Sequence, residues 1–186
     1  MSVPGRPDPA KLVIGVLMRQ KEGIAPLAAE LVQRFGPIDT VSRWLPFDHT
    51  RYYAGEMGEP LHRRVFSFAE LIAQEALPAV KLATNALEEE LSAHGRRTAN
   101  IDPGYLLRER FVLATGKNFA HRIHVGEGIY ADLTLIREGG RYVPLPWTYA
   151  DYAEEEMVAY LASVREKYVV DLENSPGKGA FDIESR

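Results

Sequence analysis

The order of apolar segments between residues 11 and 101 is the feature that most constrains the fold of this chain. Lys11–Arg19 is a short run rich in valine, isoleucine and leucine, which predicts a buried strand. A helix with Pro26 near its first position follows, and Gly36-Pro37 ends it. Ile38–Phe47 alternates in part between apolar and polar residues and predicts a second strand, and Arg63–Ala69 predicts a third.

A second helix and a fourth strand complete this pattern. Glu70–Ser92 has apolar residues near the helical period, and we expect Pro78 to divide it into a short turn and a long helix. Arg96–Ile101 then predicts a strand. The resulting order β-α-β-β-α-β is typical of the ferredoxin-like fold, so we expect an α+β protein with a ferredoxin-like core.

The C-terminal half adds an antiparallel β-hairpin region and a terminal helix to that core. The predicted strands are Arg110–Thr115, Arg122–Val125, Ile129–Arg137 and Arg141–Leu145, followed by an extended edge at Pro144–Trp147 and an amphipathic helix from Asp151 to Tyr168. We therefore expect one α+β domain over residues 11–168. Residues 1–10 and 169–186 are predicted to be flexible tails.

Composition excludes several classes of function. The net charge is -4, from 22 basic and 26 acidic residues, which argues against a nucleic-acid partner. The chain has no cysteine, so disulfides, thiolate nucleophiles and cysteine-based metal sites are excluded. Prolines stand where a signal peptide would have its apolar segment, and no apolar run approaches the roughly 20 residues of a membrane span. We expect a cytoplasmic protein with no membrane partner.

Most chemically capable side chains lie in one stretch, Asn100–Leu135. Lys117, Asn118, His121 and Arg122 follow a predicted strand within six positions, a set suited to holding a phosphate or carboxylate. His121 could act as a general acid or base, because its ordinary pKa lies near neutrality. The alternative is an ordinary solvated loop.

Two sequence motifs in the same stretch resemble phosphate-binding loops, and both fail. The P-loop spacing requires a glycine where Phe111 stands. Gly126–Ala131 matches a dinucleotide-binding spacing, but the residues after it alternate as a strand instead of opening a helix, so a hairpin is the better explanation. Asp102-Pro103-Gly104-Tyr105 has the residues of a turn.

A second polar cluster follows the predicted second strand at Asp48–Tyr53. It contains an acid, an imidazole, a hydroxyl, a guanidinium and two phenols. Asp48, His49, Asp102 and His121 could hold a divalent ion if the fold brought the two clusters together, but no ligand spacing supports one and no metal is predicted. The alternative is that the tyrosines pack and Asp48 caps a turn.

Three segments resemble a bacterial family of unknown function, the domain-of-unknown-function family numbered 4416. They are Phe47–Gly58 (FDHTRYY followed by EMG), Asn100–Leu106 (NIDPGYL), and the run from Phe111 through Leu135 to Pro144–Tyr152. The resemblance extends from Leu12 to Lys167. It implies no established activity and identifies no cofactor. It points to six family positions: Asp48, His49, Tyr53, Asp102, Lys117 and His121.

Our leading hypothesis is an enzyme or binder of a phosphorylated or otherwise anionic small molecule. The candidate catalytic residues are His121, Asp102, Asp48 and His49, and the candidate ligand-binding residues are Lys117, Arg122, Tyr53 and Asn118. Asp48 and Asp102 would orient His121 or bind a divalent ion. The alternative is a non-catalytic protein-interaction module that uses a sheet face or the Pro144–Tyr152 edge, and a homo-oligomer is open under either hypothesis. RNA binding through the sheet is a weaker third alternative.

Overall fold

The structure is a computed structural model that describes residues 2–50, 52–92 and 96–174. These residues form nine strands and five α-helices. The strands are β1 Ala10–Met18, β2 Ile38–Val41, β3 Leu45–Phe47, β4 Leu61–Ile72, β5 Ala99–Leu106, β6 Arg110–Thr115, β7 Arg122–Gly126, β8 Ile129–Glu138 and β9 Arg141–Pro144. The helices are α1 Ile24–Phe35, α2 Ala54–Met57, α3 Leu77–Glu90, α4 Ala150–Ala153 and α5 Glu155–Asn174.

All nine strands belong to one sheet in which every pairing is antiparallel. Its order is β2-β4-β1-β5-β6-β8-β7, with β3 pairing with β4 and β9 pairing with β8. The expectation of a mixed helix-and-sheet protein is confirmed. The sheet is larger than that of a simple ferredoxin fold.

Strand β1 lies in the interior because helices cover the sheet on both faces. Leu12, Ile14 and Val16 belong to the same apolar cluster as residues of α1 and α3, whereas Val13 belongs to the cluster that contains Met157 and other residues of α5. Every residue of β1 is buried. This explains why the strand is a continuous apolar run and not an alternating one.

Several predicted elements differ from the observed ones in their bounds. The segment from Ile38 to Phe47 forms two short strands, which both pair with β4. The helix predicted from Glu70 begins only at Leu77, with Pro78 in its first turn, because the residues before it complete β4 and a 3-10 turn at Gln74–Ala76. The C-terminal helix is interrupted at Glu154 and then runs on to Asn174, and the rest of the predicted tail, residues 175–186, lies outside the described residues.

The predicted turn at Asp102–Tyr105 is wrong, because these residues lie inside β5. β5 pairs with β1 along its whole length, but it pairs with β6 only from Gly104 to Leu106. Before Gly104 the two strands separate. The N–H and C=O of Ile101, which a continuous sheet would pair with β6, are bound by the side chains of Glu88 and Lys81 from α3.

This separation explains how a proline fits inside a central strand. The backbone groups of alternate residues point to the same side of a strand, so Pro103 faces the same gap as Ile101. Its missing N–H therefore removes no hydrogen bond from the sheet. Gly104 marks the point where the strands close, since a Cβ atom there would lie 2.4 Å from the carbonyl oxygen of Val112. Of the described helices, none is long and apolar enough to cross a membrane.

Candidate functional site

The separation of β5 from β6 leaves a cavity of about 690 Å³, which we call the split cavity. It is lined by Asn100 and Asp102 of β5 and by Ala114 and Thr115 of β6. Side chains of the β3–α2 segment, of α3 and of α4 complete the lining. The volume lies in the range of cavities that hold small ligands.

Arg63 of β4 crosses β1 to reach the split cavity. Glycine at position 15 of β1 leaves room for it, because a Cβ atom there would lie 2.9 Å from Arg63 Nη1 and 2.7 Å from Tyr152 Oη. Arg63 Nη1 donates to Asp102 Oδ2 and to Tyr152 Oη, both at 3.1 Å. Its Nε lies 2.8 Å from Asp151 Oδ2, although these two atoms do not have hydrogen-bond geometry. Arg63 thus connects β5 to α4.

Burial and charge shift the ionisation of this group of side chains. Burial would lower the pKa of Arg63, but Tyr152, Asp151 and Asp102 outweigh it and raise that pKa, so the guanidinium stays charged. Burial raises the pKa of the Asp151 carboxyl, and attraction to Arg63 offsets only part of the effect. Burial also raises the pKa of the Tyr53 and Tyr152 phenols, so both are neutral at pH 7.

Helix α3 and the start of β5 supply a second group of polar side chains. Lys81 Nζ is buried and donates to Ile101 O at 2.9 Å, while Glu88 Oε1 accepts the Ile101 N–H at 2.5 Å. Arg97 Nη1 donates to Glu88 Oε2 and to Asn100 Oδ1. Burial raises the pKa of Glu88, although the Ile101 N–H, Lys81 and Arg97 act in the opposite direction. Within the described part of the chain, the buried Nδ2 of Asn100 has no hydrogen-bond partner.

Lys117 enters the split cavity from the turn after β6. Its backbone N–H donates to Thr115 Oγ1, which shapes the turn. Its Nζ donates to Tyr52 Oη at 2.9 Å and lies 4.6 Å from the centroid of that ring. This hydrogen bond lowers the pKa of Tyr52. In the part of the chain that the structure describes, no carboxylate lies within 4.0 Å of the ammonium of Lys117 or of Lys81.

Asp132 of β8 connects the split cavity to the imidazole that the sequence singled out. Its Oδ2 lies 3.3 Å from His121 Nε2 and accepts the Arg122 Nε–H at 2.9 Å. The His121 ring stacks on Trp147 with their centroids 5.0 Å apart. Asp132 lines the cavity, whereas His121 and Arg122 do not.

Four of the eight predicted site residues line the split cavity. They are His49, Tyr53, Asp102 and Lys117. Arg122 lies behind Asp132, and its other two nitrogens donate to Lys117 O and Tyr149 Oη. Asp48 and Asn118 do not line the cavity. The fold thus brings some residues of each polar cluster to the split cavity and leaves the others outside it.

The residues that the sequence did not indicate come from ordinary-looking elements. Arg63 stands in a predicted strand, Lys81 in an amphipathic helix, and Asp151 at the expected start of another helix. The sequence held one signal, at Arg63. It stands beside a second arginine inside an otherwise apolar predicted strand, and arginine is rarely buried.

The side chains considered for a divalent ion are not gathered by the fold. Among the described residues, no group of three or more histidine, aspartate or glutamate side chains could hold a metal ion.

Comparison with known proteins identifies the family but adds no activity. No curated protein and no solved structure matches the chain. A family model described as a domain of unknown function, DUF4416, matches residues 8–168, and this range contains every residue that lines the split cavity. The chain therefore belongs to the DUF4416 family.

Proposed function

We propose that this protein binds a phosphorylated or otherwise anionic small molecule in the split cavity. The observation that carries the proposal is the pair of ammonium groups at Lys81 and Lys117. Both line the cavity, and within the described chain neither has a carboxylate within 4.0 Å.

The burial of Lys81 makes this arrangement costly without a ligand. Lys81 is 8% exposed, and among the described residues its ammonium donates only to the neutral carbonyl of Ile101. Burying a charge is unfavourable unless it is paired and fully hydrogen-bonded. Glu88 attracts this ammonium only from beyond 4.0 Å, so an anion in the cavity would supply a direct charge partner and further acceptors. The unpartnered Nδ2 of Asn100 would supply one more donor to the same ligand.

Lys117 differs from Lys81 because it lies at an exposed turn and its partner is a phenol. The Tyr52 hydroxyl accepts the lysine N–H, but a phenol is a weaker partner for an ammonium group than a carboxylate is. Lys117 can therefore turn from Tyr52 to an incoming anion with little loss. We assign it the role of recruiting the ligand, and Lys81 the role of holding it.

If the protein is an enzyme, Asp151 is, like Glu88, a carboxyl group suited to proton transfer. It lines the split cavity, and burial raises the pKa of its carboxyl. A carboxyl with a raised pKa can hold a proton closer to neutral pH and donate it to a leaving group. His121, the acid or base proposed from the sequence, would act through Asp132, since only Asp132 reaches the cavity.

Thermal unfolding in the presence of anions tests the binding proposal. A ligand that binds only the folded protein stabilises it by about 2.7 kcal/mol at a hundredfold excess over its Kd. The parent, Lys117→Ala and Lys81→Met should be melted with inorganic phosphate, pyrophosphate, citrate and sugar phosphates. Lys21→Ala is the matched control, because Lys21 is exposed and does not line the cavity.

We expect at least one anion to raise the midpoint of the parent and of Lys21→Ala, but not that of the two cavity variants. An equal rise in all four proteins would mean that the anion binds elsewhere. No rise with any anion would favour the alternative of a non-catalytic protein-interaction module. The Pro144–Tyr152 segment is a weak candidate for such a surface, since Tyr149 to Tyr152 already line the cavity.

We also propose that the first half of the chain is a ferredoxin-like core. Supporting this, β1, α1, β2, β4, α3 and β5 follow one another along the chain, and β2-β4-β1-β5 are neighbours in the sheet in that order. Both helices contribute to one apolar cluster with Leu12, Ile14 and Val16 of β1. The remaining strands extend this core past β5, and the split cavity forms where the extension begins.

A further inference from the structure

We infer that the ligand of the split cavity is a polyhydroxylated anion of the sugar-phosphate type. This inference rests on the proposed function and names the chemical class of its ligand. It follows from the balance of charges in the cavity and from the acceptor atoms that the protein leaves free.

Among the residues that the structure describes, the split cavity has as many acidic as permanently basic side chains. The acidic ones are Glu88, Asp102, Asp132 and Asp151, and the basic ones are Arg63, Lys81, Arg97 and Lys117. Of these basic groups, within the described chain only the ammonium groups of Lys81 and Lys117 lack a carboxylate within 4.0 Å, so a ligand charged over its whole surface would find no further free positive charge to bind it. The anionic part of the ligand must therefore be small and confined to the neighbourhood of the two lysines.

The carboxylates, in turn, do not need a cationic ligand. Asp102 is paired with Arg63, and Asp132 with Arg122 and His121. Each carboxylate already has a positive partner in the protein, so a ligand ammonium would add positive charge to neutralised pairs. A neutral hydrogen-bond donor fits better, because it needs an acceptor oxygen and no net negative field.

Free acceptor oxygens are available for such donors. Within the described chain, Asp102 and Asp132 each accept hydrogen bonds through Oδ2 alone, which leaves Oδ1 of both without a partner. Ligand hydroxyl groups donate well to carboxylate oxygens and give short, strong hydrogen bonds. Two carboxylates lining one cavity suit a molecule that carries several hydroxyl groups.

Uncharged side chains support the same ligand class. Asn85 on α3 lines the split cavity and has no hydrogen-bond partner in the described chain, and Asn100 has its free Nδ2. An amide both donates and accepts, as a hydroxyl does. The rings of Tyr53 and Phe47 add apolar surface that the C–H face of a sugar can cover.

Calorimetric titration with three kinds of probe tests this inference. The probes are inorganic phosphate, a set of pentose, hexose and hexitol phosphates, and phosphoethanolamine, which joins a phosphate to an ammonium. We expect at least one sugar or hexitol phosphate to bind about tenfold or more tightly than inorganic phosphate, as one or two additional hydrogen bonds to charged groups allow. Phosphoethanolamine should bind no more tightly than inorganic phosphate.

Two variants connect the result to the residues. Asp102→Asn keeps the side-chain shape, and Asn85→Ala removes an amide from a half-exposed helical position where the fold does not depend on it. Each should weaken the sugar phosphate about three- to tenfold. Asn85→Ala should change inorganic phosphate less than twofold, and Asp102→Asn, which removes a negative charge from the cavity, should not weaken it. Lys81→Met should weaken both probes.

The outcomes separate this inference from the proposed function. If inorganic phosphate binds in a Lys81-dependent manner but no sugar or hexitol phosphate binds more tightly, the anion site stands and the polyhydroxylated ligand is wrong. If phosphoethanolamine binds most tightly, the carboxylates serve a cation and the inference is also overturned. If none of the probes binds, both proposals fail.

Discussion

Substituting Gly15 by alanine should disturb Arg63 and Tyr152, two buried side chains that line the split cavity. The new Cβ atom would lie 2.7 Å from Tyr152 Oη and 2.9 Å from Arg63 Nη1, well inside van der Waals contact. Both side chains are almost fully buried, at 2% and 3% exposure, so neither end can swing into solvent. The substitution must push them apart and break the hydrogen bond between them.

The expected magnitude follows from three contributions. Overpacking a well-filled interior costs about 1–3 kcal/mol. Losing a hydrogen bond to a charged group costs about 1.5–3 kcal/mol. Alanine recovers about 0.5–1 kcal/mol relative to glycine in a strand. The net loss is about 2–5 kcal/mol, which for a chain of this size lowers Tm by roughly 4–20 °C.

The assay is thermal and denaturant unfolding of the parent, Gly15→Ala and three companions: Gly55→Ala, Tyr152→Phe and the double variant Gly15→Ala/Tyr152→Phe. Gly55→Ala is the matched control, because a Cβ atom at Gly55 meets nothing within 4 Å, and it should stay within about 1 kcal/mol of the parent. Adding Tyr152→Phe to Gly15→Ala removes the atom in closest contact, so the double variant should be at least about 0.5 kcal/mol more stable than the sum of the single changes predicts. If Gly15→Ala melts with the parent, or if the two changes simply add, the packing argument is refuted.

Three further substitutions test other parts of the structure by unfolding measurements. Gly104→Ala puts a Cβ atom 2.4 Å from the backbone oxygen of Val112 and should cost about 3 kcal/mol or more, and a loss below 1 kcal/mol would contradict the close approach of β5 to β6. Lys11→Met removes a buried ammonium 2.5 Å from Asp39 and should cost about 3–5 kcal/mol at pH 7. Burial acts to raise the pKa of Asp39, but Lys11 and other partners lower it overall, so the stabilisation by this ion pair is lost as pH falls. The difference in stability between the parent and Lys11→Met should therefore narrow in acid. A difference that does not depend on pH would refute the role of the Lys11–Asp39 pair. Burial raises the pKa of Glu88 above its ordinary 4.5, so the stability that its neutral form contributes is present below pH 4.5 and is lost as pH rises through the raised value. The parent should therefore lose stability relative to Glu88→Gln across that pH window. Parallel curves of stability against pH for the two proteins would contradict this prediction.

Local patterns predicted those elements whose stability depends on neighbouring residues in the chain. The apolar run of β1 and the start of α3 at Pro78 are of this kind. The hairpin joining β8 to β9 turns at Gly139 and Gly140, which have φ values of 56° and 85°. Glycine adopts such angles at lower steric cost than other residues, so the Gly-Gly pair was a reliable signal.

The turn predicted at Asp102–Tyr105 failed for a non-local reason. Proline and glycine side by side favour a turn when only their neighbours in the chain are considered. Here Pro103 faces a gap in the sheet and Gly104 allows close packing against Val112, so each residue suits an interior strand. The gap exists because side chains of α3, a distant segment, bind the backbone of Ile101. No local pattern contains that information.

The candidate site was predicted in part for the same reason. Residue types indicated Asp102 and Lys117, and the fold brings both to the split cavity. Arg63, Lys81 and Asp151 escaped notice because a charged residue in a strand or helix is usually exposed to solvent. Their burial depends on the packing of α3 and α4 against the sheet.

Crystallography with a heavy anion would show whether the split cavity binds an anion through its lysines. Crystals of the protein should be soaked in tungstate, a tetrahedral oxyanion like phosphate, and its position read from the anomalous signal. We predict an anomalous peak inside the split cavity, in contact with the ammonium of Lys81 or Lys117. The peak should be lost in the double variant Lys81→Met/Lys117→Ala. Tungstate bound only outside the cavity, or bound equally in the double variant, would contradict it.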